Sequence, residues 1–185
     1  MSCPTVELYE SALRVLYYLG RHRDIGLHFE CSDEPLAGMS DSDWATRHST
    51  SGYVFQLSRA AISWMSKKQP CVALSSCEAE IIAASEAAKE ATHLRSFLSE
   101  LGLGTAQPTS LSVDNQAARD LAYNPEHHAR TKHIDRRHFF IREKVEDLTL
   151  VVPFVRSAEN LADFFTKPLT AKTFFPMRDR IMNIT

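Results

Sequence analysis

Asp114 follows the apolar run Leu111-Ser112-Val113 and precedes the helical-looking Asn115-Gln116-Ala117-Ala118, which puts its carboxylate at the mouth of a β-strand. Three more acids hold comparable places: Asp41 after Ala37-Gly38-Met39-Ser40, Glu80 in the first turns of a small-residue helix, and Asp163 within Glu159-Asn160-Leu161-Ala162-Asp163. Scattered carboxylates with no clustered Cys or His suit a hard divalent cation. Mg²⁺ prefers oxygen donors and keeps coordination positions for water and a substrate phosphate.

The elements that must carry these acids can be read from periodicity. Residues 6–19 place Leu8, Ala12, Leu16 and Leu19 on one helical stripe, with Gly20 as the expected stop. Residues 26–31 alternate like a half-buried strand, and Asp33-Glu34-Pro35 reads as a turn. Strand-like pieces follow at 37–41, 52–57, 61–66 and 71–74, a pattern most simply built as an antiparallel meander. Residues 77–101 then read as a helix capped by Ser75 or Ser76 and ended by Gly102, with Ala84, Ala87, Ala88 and Ala91 as a stripe able to press closely on a sheet. Glu80 lies one turn before Ala84 on that inward side, where an acid is costly unless a partner or a metal compensates it.

Beyond the Asp114 strand, a helix runs to about Tyr123 and breaks at Asn124-Pro125. A second helix carries Ile134, His138, Ile141 and Val145 on one face, and residues 148–155 form an apolar, β-branched strand. A last motif helix ends at Lys167-Pro168, and residues 173–182 make a short docking helix. The order predicts an α/β chain with α+β layering, in which the final two strands join the sheet in parallel through helical crossovers.

A chain of 185 residues with 44% hydrophobic content has enough apolar material for one buried core and an appendage. Its apolar runs are too short to span a membrane, and Met1-Ser2-Cys3-Pro4 does not open a secretory signal. Cys3, Cys31, Cys71 and Cys77 show no paired spacing and read as reduced thiols of a cytoplasmic or nuclear protein. Net charge is −2, yet between Glu126 and Lys144 the chain carries His127, His128, Arg130, Lys132, His133, Arg136, Arg137, His138 and Arg142. That stretch can touch nucleic-acid phosphates or form an ordinary solvated helix face.

Several runs are familiar in series: Ser40-Asp41-Ser42-Asp43-Trp44, Ser49-Thr50-Ser51-Gly52-Tyr53-Val54, Ile62-Ser63-Trp64, Leu74-Ser75-Ser76-Cys77-Glu78-Ala79-Glu80, Val113-Asp114-Asn115-Gln116, Thr131-Lys132-His133-Ile134-Asp135 and Ala162-Asp163-Phe164-Phe165-Thr166-Lys167-Pro168-Leu169. Together, from about residue 10 to about residue 170, they resemble the ribonuclease H domain of copia-type (Pseudoviridae) LTR-retrotransposon Pol polyproteins. The resemblance implies a ribonuclease H-like fold, a five-stranded mixed sheet flanked by helices. It divides the chain into a helical tether at 1–34, a ribonuclease H-like domain at 35–170 and a C-terminal tail at 171–185.

It also implies an endonuclease that hydrolyses the RNA strand of RNA/DNA hybrids during reverse transcription, leaving 5′-phosphates. Asp41, Glu80, Asp114 and Asp163 match the family's catalytic, metal-holding acids, and the cofactor is a pair of Mg²⁺ ions that Mn²⁺ can replace. Asp43 and Glu78 compete for the first two roles; Asp41 is preferred, and Glu78 lies about 200° around a helix from Glu80, so both cannot face one site. Crowding should raise at least one of these carboxyl pKa values without metal.

Ser75, Ser76 and Cys77 fall where the family sets polar groups against RNA 2′-hydroxyls, with Asn115 and Gln116 as further donors and Lys132 and Arg136 along the backbone. The two serines serve equally as helix caps. The partners implied are the hybrid and the reverse transcriptase domain of the same polyprotein, in a cytoplasmic virus-like particle or the nucleus. The product-release histidine common in the family has no counterpart in Val155-Arg156-Ser157-Ala158; His133 is a substitute or a packing residue. Trp44 and Trp64 are expected in the core rather than stacked on nucleic acid. A truncated or domesticated remnant that binds nucleic acid or protein without cleaving is the alternative, and a purely structural connection domain would not need the four acids.

Overall fold

The computed structural model describes residues 4–44, 48–123 and 132–184, with the side chains at 132–136 and 138 outside the described set. Five strands form one mixed sheet: β1 (Ala37–Asp43), β2 (Thr50–Leu57), β3 (Ala60–Lys68), β4 (Thr109–Val113) and β5 (Leu150–Val151). Their spatial order is β3-β2-β1-β4-β5. The first three pair antiparallel, whereas β4 joins β1 and β5 joins β4 in parallel. The meander followed by crossovers is therefore the observed topology. Helices α1 (Val6–Arg21), α2 (Ser76–Glu100), α3 (Gln116–Tyr123), α4 (Lys132–Glu146), α5 (Asp163–Thr166) and α6 (Ala171–Met182) complete the chain.

Two cores lie on opposite faces of the sheet. On one, the alanine stripe of α2 lets the helix lie close against Phe55, Leu111 and Val113, joined by Ala118, Ile141 and Leu150. On the other, Leu161 and the α6 residues Met177 and Ile181 cover Val54 and Ala61. Ser75 caps α2 by accepting the Glu78 N–H at 3.1 Å, and Gly102 takes a φ of 75° just past its end. Buried Gln69 fixes α2 to the sheet, donating to Ser51 Oγ at 2.9 Å and to the Ala79 carbonyl at 3.0 Å.

Some sequence expectations are corrected. Residues 26–31 form no strand: both edges of β1 are occupied, and the segment makes single contacts, His28 N–H to the Met182 carbonyl and Glu30 N–H to that of Ser58. Residues 71–74 are a loop, since the Leu74 N–H is held by the Glu78 side chain at 2.7 Å instead of by a neighbouring strand. The 148–155 strand shrinks to β5 plus a bridge from Phe154 to Val113, because Pro153 brings no N–H to a ladder. Helix α1 passes through Gly20 and is capped at His22, and its apolar stripe is exposed, none of its residues being buried. Trp44 and Trp64 are 55% and 53% exposed: one lies beyond the end of β1 and the other on the edge strand β3. Asn124 and Pro125 lie outside the described residues. Among the described residues no helix is long and apolar enough to cross a membrane.

Gly38 marks the tightest approach inside the sheet, where an added Cβ would stand 2.3 Å from Phe55 Cε1. Gly38→Ala should cost about 1–3 kcal/mol through overpacking. Urea melts of the two proteins test this, and an unchanged midpoint would mean that Phe55 has room to move.

Candidate active site

Each acid is delivered by a different element. Asp41 sits in β1, registered opposite Gly52 of β2, and Asp114 directly follows β4, the parallel neighbour of β1. Glu80 comes from the second turn of α2, and Asp163 opens α5. Carboxylate oxygens of Asp41, Glu80 and Asp114 lie within 4.8 Å of one another. Asp163 stands outside this triad but shares a neighbour with Asp41, the Lys167 ammonium, at 2.8 Å from Asp163 Oδ1 and 3.8 Å from Asp41 Oδ2.

Neither competing acid belongs to this triad. Glu78 accepts the Leu74 N–H, and Asp43 is not part of the triad. Asp41 is 2% exposed and Glu80 6% exposed, so each carries a desolvation penalty when ionised. Burial raises the Asp41 carboxyl to about 6, although the Thr166 hydroxyl, which donates to its Oδ2, and the Lys167 charge act against that. Burial, reinforced by Asp41 and Asp114, pushes Glu80 up to about 8. Asp163 is also raised by burial, with Lys167 opposing. For Lys167, burial disfavours the ammonium, but Asp163 and Asp41 outweigh it and hold its pKa above the ordinary lysine value.

Glu80 Oε1 accepts the Ser42 N–H at 3.3 Å, whereas its buried Oε2 has no hydrogen-bond partner among the described residues. An orphaned carboxylate oxygen beside two more carboxylates is an all-oxygen donor set, and it fits a hard divalent cation such as Mg²⁺ or Mn²⁺.

Three positioning residues had no role in the sequence reading. Asn160 is fully buried; its Nδ2 donates to the Ser40 carbonyl at 3.0 Å and its Oδ1 accepts the Ala162 N–H at 3.1 Å. It thereby pins the turn before α5 against β1. Thr166 and Lys167 complete the link from α5 to Asp41. The short side chain of Asn160 just ahead of a helix start was a usable local signal for a backbone turn. Its partner, 120 residues away, left no trace in the sequence.

Of the other expected residues, Ser75 is engaged as the α2 cap, Ser76 is exposed and Cys77 is half-buried, about one turn ahead of Glu80. Asn115 Oδ1 accepts the Ala118 N–H at 3.0 Å, and Gln116 Nε2 donates to Asp120 at 3.0 Å. Lys132 and Arg136 fall on α4, but their side chains, and that of His133, lie outside the described residues. The Trp44 indole donates to the Ala73 carbonyl at 3.2 Å, tying the end of β1 to the loop ahead of α2.

No family model matches the chain. The Retrovirus-related Pol polyprotein from transposon TNT 1-94 of Nicotiana tabacum is 45% identical over 175 residues, covering 92% of this chain and 13% of the relative. The corresponding polyprotein from transposon RE2 of Arabidopsis thaliana is 37% identical over 179 residues, covering 94% of this chain and 12% of the relative. The chain thus spans about an eighth of the length of these curated relatives. Among solved structures, LC11-RNase H1 in complex with RNA/DNA hybrid superposes with a TM-score of 0.55 at 13% identity, covering 71% of this chain and 94% of the other. The fold is ribonuclease H-like.

A raised carboxyl pKa means that the folded chain keeps protons the unfolded chain has released, so stability without metal falls as pH climbs from 4.5 toward about 8. Glu80→Gln removes that cost. In EDTA the variant should melt above the parent protein at pH 8 and lose the advantage at pH 5; equal melting temperatures at both pH values would refute the burial cost of Glu80.

Proposed function

The chain belongs with the copia-type retrotransposon Pol polyproteins, as their ribonuclease H-like segment, and on that premise we propose that it is a divalent-metal-dependent endonuclease hydrolysing the RNA strand of RNA/DNA hybrids. The observation that carries this is the convergence of Asp41, Glu80 and Asp114 from three elements, with Asp163 alongside. A connecting module would have no reason to bury Asp41 and Glu80 at a cost in stability.

Asp41, Glu80, Asp114 and Asp163 would hold two Mg²⁺ ions, or Mn²⁺ in their place. When bound, such ions activate a water and stabilise the leaving 3′ oxygen, giving 5′-phosphate ends. The chain's own part is positioning. Ser42 N–H orients Glu80, Thr166 orients Asp41, and Asn160 keeps the start of α5 against β1. Ser76 and Cys77, with the hydroxyl of Ser75 and the side-chain amide of Asn115, offer polar groups to RNA 2′-hydroxyls, and Gln116 lies beside them. Lys132 and Arg136 are assigned to backbone phosphates.

In the relatives such a segment works within a longer polyprotein, so the partners proposed are the hybrid and the reverse transcriptase domain, in a cytoplasmic particle or the nucleus. We read 1–34 as the tether, because α1 buries none of its residues, and 35–170 as the nuclease domain. The 171–185 tail folds back, with Met177 and Ile181 of α6 buried on the sheet.

Labelled RNA/DNA duplex incubated with Mg²⁺, Mn²⁺ or EDTA should lose its RNA strand only with metal, and Asp114→Asn should slow cleavage by about a hundredfold or more. Binding without cleavage by the unmodified protein would favour a non-catalytic remnant.

A further inference from the structure

The four-acid cluster contains its own cation. Lys167 Nζ pairs with Asp163 at 2.8 Å and approaches Asp41 at 3.8 Å, and Asp114 also attracts it. Its place is fixed by the chain: Lys167 is the C-cap of α5, its N–H bonded to the Asp163 carbonyl, and Pro168 ends the helix behind it. The two ends of the site are thus unlike. Asp41, Glu80 and Asp114 bring three carboxylates within 4.8 Å of one another, whereas Asp163 sits beside them with the Lys167 ammonium as a close counter-charge at 2.8 Å.

From this asymmetry we infer that Lys167 is a positioning residue that occupies the Asp41/Asp163 side of the site in place of a divalent ion. The inference rests on the metal-dependent reading above and deepens it. Before substrate binds, the protein takes one ion, at Asp41, Glu80 and Asp114. A second ion must compete with an ammonium held by two carboxylates, and at this separation one unit charge changes ion affinity by well over tenfold in a partly buried setting. The Lys167 side chain is 38% exposed on a four-carbon stem, so it can leave Asp163 for a stronger anion. The anion that substrate brings to this edge is a phosphate of the nucleic-acid backbone. Its arrival draws the ammonium off Asp163 and opens the second position, making full metal loading conditional on substrate.

The test counts ions with no nucleic acid present. Mn²⁺ titrations followed by electron paramagnetic resonance should give one tight ion for the unmodified protein. Lys167→Gln should give two, its second at least about tenfold tighter than any second ion of the parent. Lys167→Arg, which keeps the charge, should restore the count to one. Two ions of comparable affinity in the unmodified protein, or equal counts for the Gln and Arg variants, would overturn the inference. Should Lys167→Gln fail to fold, Asp163→Asn decides: one ion at an affinity within about twofold of the parent supports it, and loss of that ion overturns it. Failure of the nuclease proposal shows separately, as an intact RNA strand in the cleavage assay, and leaves the ion count unaffected.

Discussion

Like-charge repulsion among carboxylates taken out of water is the constraint to which the rest of the molecule answers. An ionised group as buried as Asp41 or Glu80 is unfavourable alone; Asp41 and Asp114 make Glu80 worse, and Asp163 and Asp114 do the same to Asp41. No single local interaction could hold them together. The fold does so by mounting each acid on a separate element whose position is set by apolar packing elsewhere, so hydrophobic burial offsets the electrostatic cost.

The polar supports are few and placed where the packing alone would leave slack. Gln69 joins β2 and α2, Asn160 joins β1 to the turn before α5, and Thr166 joins α5 to Asp41. Gly52 has a matching negative role, since a Cβ there would come within 2.7 Å of Thr166 and 2.9 Å of Phe165. The four-residue α5 is too short to be stable alone and takes its shape from these neighbours. The fourth acid is therefore the one most dependent on tertiary structure.

Much of this was legible in the sequence, and the failures have a common cause. The Ser75 cap, the alanine stripe of α2, Gly102 and the break after Val113 are local signals, and local signals fixed those elements. Residues 26–31 and 71–74 carry strand-like patterns too, but neither lies along an open edge of the sheet, and their backbone groups are held by single contacts instead. Trp44 and Trp64 read as core residues by type, yet one lies past a strand end and the other on an edge. Lys167 was visible only as a letter of a motif; its pairing with Asp41 depends on a return of the chain that no window of sequence contains.

That long return has a temporal side. The bond from Asn160 to Ser40 closes across 120 residues and that from Thr166 to Asp41 across 125. Contacts so far apart in order form late, after the entropy of a long loop has been overcome. On a ribosome, the sheet can begin to assemble while α5 is still unsynthesised, but the acid quartet cannot exist until translation has passed Lys167. Until then Asp163 and Lys167 are missing from the cluster, and the site is completed in a single late step of this segment's synthesis.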